Sequence, residues 1–136
     1  MTRVLVDTSA LMAFLDADDP RHEAATASFR ALENDDLLTH GYVVAESLAV
    51  VRRRLGLEAT LSLLDDVLPA VEIVPVDAVL HAHAQQRYRA ALPRGVSFVD
   101  HVTLALIERD AITMAFALDA DLAVGGVRLV PDPSAP

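Results

Sequence analysis

The chain has 136 residues, enough for one compact domain, and 53% of them are hydrophobic, which indicates a globular fold with an aliphatic core. It has no cysteine, so disulfide frameworks, thiolate zinc sites and cysteine nucleophiles are excluded. Twenty acidic residues against eleven basic ones, all of them arginine, give a net charge of −9, and the absence of lysine excludes Schiff-base and P-loop chemistry.

The apolar N-terminus is interrupted by Asp7 and then by Asp16, which is unlike a secretory signal. No apolar run approaches the roughly 18 residues that a membrane span needs. We therefore expect a soluble, cytoplasmic protein without a membrane contact.

Short aliphatic runs alternate with helical patterns in the first half of the chain. In chain order we expect a strand at 4–6, a short helix capped by Thr8 or Ser9, a helix from Pro20 to about Leu32, a strand at 37–39, and helices at 42–55 and 57–67. Gly56 is placed to end the helix at 42–55. His22 and His40 are expected to be solvated or in turns.

The second half continues the alternation. We expect a strand at 72–74, a helix from an Asp77 cap to about Leu92, a helix starting at Ser97, and strands at 113–118 and 127–130. Residues 1–130 then form a single domain, and 131–136 form a Pro-rich tail. Strands separated by helices predict a three-layer α/β/α sandwich with a mostly parallel sheet, whose ligand site lies outside the carboxyl ends of the strands.

Four carboxylates stand where the pattern calls for an apolar or structural residue. Asp7 and Asp119 each follow a predicted strand. Glu46 and Asp100 lie on the apolar stripes of their helices, because their neighbours three and four positions away are mostly aliphatic. Each also has a purely structural interpretation: Asp7 as a helix cap, Asp100 as a capping-box acid, and Glu46 as the partner of an arginine.

The predicted topology directs all four acids to one edge of the sheet. Carboxylates a few ångströms apart raise each other's pKa and need compensation, which oxygen-bound divalent cations usually supply. Without cysteine or a clustered histidine pair, Mg²⁺ or Mn²⁺ fits this donor set better than zinc.

The sequence resembles the PIN-domain ribonucleases, and among them the VapC toxins of toxin–antitoxin pairs. The motifs that carry the resemblance cover nearly the whole chain: Val-Leu-Val-Asp7-Thr-Ser-Ala, the mid-helix Glu46, Ser97-Phe-Val-Asp100 and Ala-Phe-Ala-Leu-Asp119-Ala-Asp121. The chain departs from the family pattern at four positions: Ala117, Leu118, Leu122 and His101.

The resemblance implies that Asp7, Glu46, Asp100 and Asp119 are catalytic, metal-binding acids. It further implies that Asp121 is a variable fifth acid and that Ser9 and Ser97 are small polar site residues. The implied activity is that of an endoribonuclease that uses one or two Mg²⁺ or Mn²⁺ ions, acts on structured or translating RNA and leaves 5′-phosphate ends. The implied partners are a cognate antitoxin protein and a second copy of the chain in a homodimer.

The net charge of −9 opposes nucleic-acid binding, because phosphate contacts normally come from basic residues. The candidates for local RNA contact are Arg52, Arg53, Arg54 and Arg94. The Arg52–Arg54 cluster has an equally good interpretation as the basic end of a helix. Residues 20–32 and 57–67 are candidate contact faces for a partner.

Two other functions compete with the nuclease. A catalytically silent PIN-fold scaffold would keep the acids without using them. A phosphoaspartyl receiver or phosphatase would also place acids at strand ends, but it normally needs a strand-end lysine, which this chain lacks.

Overall fold

Five short parallel strands form a single sheet in the computed structural model, which describes residues 2–134. The strands are β1 (Arg3–Val6), β2 (Asp36–His40), β3 (Val71–Val74), β4 (Met114–Phe116) and β5 (Arg128–Val130). Their order across the sheet is β3-β2-β1-β4-β5, and every neighbouring pair is parallel. The five predicted strands are confirmed within a residue or two, and the sheet is parallel throughout.

The helices are α1 (Thr8–Leu15), α2 (His22–Ala31), α3 (Gly41–Leu55), α4 (Leu57–Ser62), α5 (Ala78–Ala90) and α6 (Phe98–Asp110). The single helix predicted at 57–67 is instead α4 followed by a π-helical turn at Leu63–Val67. The chain then tightens into a 3₁₀ turn at Leu68–Ala70, because Pro69 has no N–H with which to continue a helix.

The helices cover both faces of the sheet and complete the predicted three layers. Alternation along β1 separates the two cores: Leu5 packs in the cluster that contains buried residues of α5 and α6, whereas Val4 and Val6 pack in the cluster that contains α1, α2 and Phe116. The central strand is therefore buried on both sides, as its continuous aliphatic sequence predicts.

β1 is the point in the sheet where the strand order changes direction. β2 and β3 extend the sheet on one side of β1, and β4 and β5 extend it on the other. The backbone N–H of Asp7 donates to the carbonyl of Phe116 at 3.0 Å, which holds the carboxyl ends of β1 and β4 together. A crevice at this position is where open α/β sheets bind ligands.

Three local expectations are wrong. α1 is capped by Asp7 rather than by Thr8 or Ser9, and α2 begins at His22 rather than at Pro20. His40 is fully buried instead of solvated, because its ring caps α3: Nδ1 accepts from the N–H groups of Tyr42 and Val43. A short polar ring can satisfy helix N–H groups as a serine or aspartate does, which the sequence pattern did not indicate.

The described part of the chain ends four residues after β5. Residues 131–133 follow β5 without regular structure, and Met1, Ala135 and Pro136 lie outside the described residues. The domain limits at 1–130 and the tail at 131–136 stay predictions. Between Thr2 and Ser134, no helix is long and apolar enough to cross a bilayer.

Candidate metal-binding active site

Four acidic side chains from four different parts of the chain line one cavity of about 440 Å³. Asp7 follows β1, Glu46 lies in α3, Asp100 lies in the first turn of α6, and Asp119 lies three residues after β4. Ser9 and Ser97 line the same cavity. The structure thus brings together six of the residues that the sequence singled out.

Ser9 fixes the position of Asp7. Its backbone N–H and its hydroxyl both donate to Asp7 Oδ2, at 3.1 and 2.5 Å. The same hydroxyl accepts the N–H of Leu118 at 2.9 Å, on the segment that leads from β4 to Asp119. A single serine therefore links the two strand ends that present acids to the cavity.

The second carboxylate oxygen of Asp7 is differently placed. Oδ1 is buried and has no hydrogen-bond partner among the described residues. Burial raises the pKa of Asp7, the hydrogen bonds from Ser9 lower it, and the charges of Asp119 and Glu46 raise it further. A buried carboxylate oxygen without a donor is costly unless a proton or a cation compensates it.

Asp100 is aimed at the other acids, although it sits in a capping position. Ser97 caps α6 by accepting the Asp100 N–H at 3.1 Å. Within residues 2–134 there is no return bond from the Asp100 carboxylate to the Ser97 N–H, so only half of the predicted capping box forms. Burial, a hydrogen bond with Asp119, and the charges of Asp7, Asp119 and Glu46 together raise the pKa of Asp100 to about 8.

Asp119 begins the 3₁₀ turn at Ala120–Leu122 and accepts the Asp121 N–H at 2.9 Å. This tight turn brings Asp121 back beside Asp119. One carboxylate oxygen from each of Asp100, Asp119 and Asp121 lies within 4.8 Å of the other two. Such a group of oxygen atoms can hold a hard divalent cation.

Glu46 and the arginines that follow it occupy different positions. Glu46, Val50 and Arg54 lie four residues apart on α3, and all three line the acid cavity. Arg52 and Arg53 are exposed and do not line it. The alternative in which an arginine neutralises Glu46 is not supported, because no ion pair joins Glu46 to Arg52, Arg53 or Arg54 in the described chain.

The fourth candidate arginine is elsewhere. Arg94 lies in a 3₁₀ turn between α5 and α6 and lines a neighbouring cavity that also contains Asp121.

Sequence reasoning missed two contributors to the site. Asp19, which lies between α1 and α2 and was not a candidate site residue, also lines the acid cavity. Thr8 and Ser47 form a buried hydroxyl–hydroxyl hydrogen bond of 2.9 Å between α1 and α3. Ser47 is the residue after Glu46, so this bond fixes the helix that carries Glu46 against the helix that follows Asp7. Thr8 belongs to the run Asp7-Thr-Ser that was singled out from the sequence, but its partner Ser47 is 39 residues away, so the sequence did not indicate this hydrogen bond.

Residues 4–126 match the PIN domain family. The chain belongs to this family. The parallel sheet covered by helices on both faces agrees with the fold that the resemblance implied.

Two curated relatives of this PIN domain come from Mycobacterium tuberculosis. Ribonuclease VapC26 is 38% identical over 64 residues, so the match spans about half of each chain (47% of both). The 23S rRNA-specific endonuclease VapC20 is 29% identical over 124 residues, which cover 90% of this chain and 94% of VapC20.

The fold of this chain is also similar to solved structures. The crystal structure of M. tuberculosis VapC20, a sarcin-ricin loop cleaving toxin, aligns with a TM-score of 0.82 and 27% identity over 91% of this chain and 95% of that one. FitAcB from Neisseria gonorrhoeae aligns with a TM-score of 0.71 and 20% identity over 93% of this chain and 96% of that one, and shares the fold.

Proposed function

We propose that this PIN domain is a metal-dependent endoribonuclease and the toxin of a toxin–antitoxin pair. The observation that carries the proposal is the convergence of Asp100, Asp119 and Asp121 within 4.8 Å, next to the buried Asp7 and to Glu46. With Asp19, six carboxylates lie at this crevice and repel one another, and among residues 2–134 Arg54 is the one cationic side chain that lines the acid cavity. A hydrolytic metal site gives this arrangement a function.

The donor set fits Mg²⁺ or Mn²⁺. All the candidate ligands are carboxylate oxygens, which hard divalent cations prefer. Asp7 Oδ1 is buried and has no donor within residues 2–134, so it is available as a ligand. We assign Asp100, Asp119 and Asp121 to one ion, with Asp7 and Glu46 completing the group or holding a second ion.

The reaction needs a water molecule activated beside the phosphodiester and negative charge stabilised on the phosphate. A bound divalent ion supplies both, since it lowers the pKa of water to about 7 and polarises phosphoryl oxygens. The residues of the chain do the rest. Ser9 holds Asp7 through two hydrogen bonds to Oδ2, Ser97 orients the first turn of α6, and Asp100 in its ionised form would be a ligand of the ion.

Arg54 is the residue of this site that we assign to the phosphate itself. Its position two turns after Glu46 places it on the wall of the acid cavity. Guanidinium groups bind phosphate oxygens with paired N–H donors, so Arg54 can hold the phosphodiester against the acids.

The names of two relatives support RNA as the substrate, and the resemblance to the toxins supports an antitoxin as the partner. VapC20 acts on 23S rRNA, and its structure is that of a toxin that cleaves the sarcin-ricin loop. We propose a structured RNA as the substrate and an antitoxin protein as the partner. The exposed side chains of Leu57, Leu61 and Leu64, which are 63%, 48% and 43% exposed, favour the second of the two predicted contact faces.

Calorimetric titration with Mn²⁺ tests the metal site. We expect saturable binding by the wild-type protein and by Asp66→Asn, an exposed acid on the π-helical turn. Asp100→Asn and Asp119→Asn should lower the affinity by about tenfold or more, because each removes a charged ligand. Equal binding by all four proteins would contradict the proposed site.

Incubation with total RNA tests the activity. The wild-type protein with Mg²⁺ should produce defined fragments with 5′-phosphate ends, and EDTA or Asp119→Asn should abolish them. A protein that binds Mn²⁺ through these acids but leaves RNA intact would be the catalytically silent scaffold instead.

A further inference from the structure

A second cavity adjoins the acid site, and most of its polar lining side chains are basic. It has a volume of about 460 Å³ and is lined by Arg87, Arg94 and His101 on one side and by Ala120 and Asp121 on the other. Asp121 belongs both to this wall and to the group of three acids. The two cavities therefore share one turn of the chain.

The basic groups in this cavity come from three separate elements. Arg87 lies in the last turns of α5, Arg94 in the 3₁₀ turn that follows, and His101 in the first turns of α6. Two of the eleven arginines of a chain with a net charge of −9 thus meet at one cavity. Asp121 is the one carboxylate among its described lining residues.

His101 provides an independent observation. Its side chain is only 4% exposed, and neither Nδ1 nor Nε2 has a hydrogen-bond partner among the described residues. The ring packs edge-to-face with Tyr88 at a centroid distance of 5.8 Å, which fixes its orientation. Buried polar side chains are almost always paired, so an unpaired imidazole on the wall of a cavity points to a ligand.

The guanidinium of Arg87 also has a hydrogen-bond donor without a partner among the described residues. Its Nη1 donates to Glu108 Oε2 at 2.7 Å, while its Nε is buried without a partner in the described chain. Glu108 is exposed and does not line the cavity, so its ion pair with Arg87 lies outside the cavity. No ion pair involves Arg94 among residues 2–134.

We propose that Arg87, Arg94 and His101 form a binding subsite for a phosphodiester group of the RNA chain, one that neighbours the group cleaved at the acids. The inference rests on the proposed nuclease function and names where the substrate continues beyond the reacting phosphate. Every nucleotide of RNA carries a phosphate, so a chain that crosses the acids must place further phosphates on either side of them. The shared position of Asp121 puts this basic cavity on one of those two sides.

Substitution of the two arginines tests the subsite. For Arg94→Gln and Arg87→Gln we expect the KM for RNA cleavage to rise about fivefold with little change in kcat, because the lost contact is remote from the reacting bond. RNA affinity falls as salt rises, so a plot of log affinity against log salt concentration has a negative slope. For each variant this slope should become shallower by about 0.7, which is the change expected when one phosphate contact to a single strand is lost. Fluorescence anisotropy with labelled RNA in Ca²⁺ measures this slope, and gels of the same samples check that the RNA is intact.

Two variants serve as controls. Arg89→Gln removes the same charge two residues from Arg87, but Arg89 lines a different groove with Tyr88 and Phe98. Glu108→Gln breaks the ion pair of Arg87 and keeps its guanidinium. Both should retain the wild-type salt slope and stay within about twofold of the wild-type KM.

His101→Phe separates binding from stability. Phenylalanine keeps the ring against Tyr88 and removes two buried, unpaired nitrogens, so the melting temperature should stay unchanged or rise. RNA affinity should nevertheless fall by about threefold, with no change in salt slope because no phosphate charge pair is lost.

The outcomes separate the subsite from the nuclease. If the wild-type protein cleaves RNA and Arg87→Gln and Arg94→Gln behave like Arg89→Gln, the subsite is wrong and the nuclease stands. If His101→Phe binds RNA as tightly as the wild type does, His101 is not part of the phosphate subsite. If the wild-type protein neither binds Mn²⁺ nor cleaves RNA, the nuclease proposal fails, and the subsite fails with it.

Discussion

The two carboxylate oxygens of Asp7 differ in their hydrogen bonding. Oδ2 caps α1 by accepting the Ser9 N–H, whereas Oδ1 is buried and has no hydrogen-bond partner among the described residues. The sequence offered a helix cap and a site acid as competing interpretations of this residue. A carboxylate has two oxygens, so the cap does not exclude the metal role, and it gives that role a fixed orientation.

Asp100 gives a prediction for the pH dependence of stability. Its pKa of about 8 in the folded protein lies above the unfolded value of 3.8. Between these values the folded state holds a proton that the unfolded state has released, so the free energy of unfolding of the metal-free protein should fall as the pH rises through this range. Asp7, whose pKa is also raised, acts in the same direction.

Urea unfolding in EDTA at a series of pH values measures this effect. Asp100→Asn should flatten the dependence and should make the metal-free protein more stable than the wild type above a pH of about 8. Asp66→Asn should follow the wild-type curve. A wild-type curve that rises between neutral and alkaline pH would contradict the assignment.

His40 should give the free energy of unfolding a pH dependence opposite in sign to that of Asp100. Burial lowers its pKa to about 4 from 6.5, and its Nε2 is 2.8 Å from Thr103 Oγ1 while Nδ1 accepts two helix N–H groups. The neutral ring joins α3 to α6, which carry Glu46 and Asp100. Stability should therefore decline as the pH falls from about 6.5 to about 4, because the unfolded chain takes up the proton first.

His40→Ala removes the cap and the contact to Thr103. We expect it to lower the free energy of unfolding by on the order of 2 kcal/mol at neutral pH, and to remove part of the acid dependence. His22→Ala is the control and should cost less, because the half-buried His22 ring makes one hydrogen bond among the described residues, to the carbonyl of Ala13 at 2.8 Å. Denaturant titration of the three proteins measures both effects.

At the scale of elements, α3 contributes to the site through its register. Glu46, Val50 and Arg54 share one face of the helix, whereas Arg52 and Arg53 are turned away from the cavity by the helical rotation. The three consecutive arginines of the sequence therefore differ in what they can do. Only the period of the helix, taken together with the side on which α3 packs, distinguishes Arg54 from its neighbours.

The end of α3 gives an element-scale prediction. Gly56 ends the helix two residues after Arg54 with φ +90° and ψ −165°, a conformation that side chains strongly disfavour. A Cβ at Gly56 would meet no atom within 4 Å, so the cost of Gly56→Ala is the backbone strain alone. We expect a loss of about 1–3 kcal/mol in the free energy of unfolding.

Gly41→Ala is a matched control at the other end of α3. A Cβ there also meets nothing within 4 Å, and its backbone is helical, so the substitution should be neutral or stabilising by up to about 1 kcal/mol. Thermal and urea unfolding measure both variants. Equal effects of the two substitutions would contradict the backbone explanation.

At the scale of the whole molecule, the net charge of −9 is concentrated in part at the site, where the acids converge. A ligand that neutralises them should stabilise the fold. Mn²⁺ at about 100 times its Kd should add about 2.7 kcal/mol to the free energy of unfolding. At the same Mn²⁺ concentration Asp119→Asn should gain at most about 1.4 kcal/mol, because its affinity is about tenfold lower or weaker still, and Asp66→Asn should show the full gain. Differential scanning calorimetry gives the comparison.

The homodimer and the antitoxin remain predictions at this scale. The exposed leucines of α4 and the π-helical turn, Leu57, Leu61 and Leu64, belong to a face that was expected from the sequence. The other expected face, around α2, has Ala25 buried and presents no large, exposed hydrophobic side chain among the described residues.

The sequence by itself determined the layers, the parallel sheet and the choice of the four acids. These follow from local signals: aliphatic runs that end at Asp7, helical periods that leave Glu46 and Asp100 on apolar stripes, and motifs in a fixed order. Local chemistry is enough for them because each signal lies within a few residues of the element that it specifies.

Only the tertiary structure decided which of these residues meet, and how. The link from Ser9 to Leu118 spans 109 positions, the contact from His40 to Thr103 spans 63, and the second cavity joins three elements around Asp121. Such partners are set by the order of strands across the sheet and by side-chain rotamers. A single sequence carries no local pattern for contacts that form only when distant segments pack together.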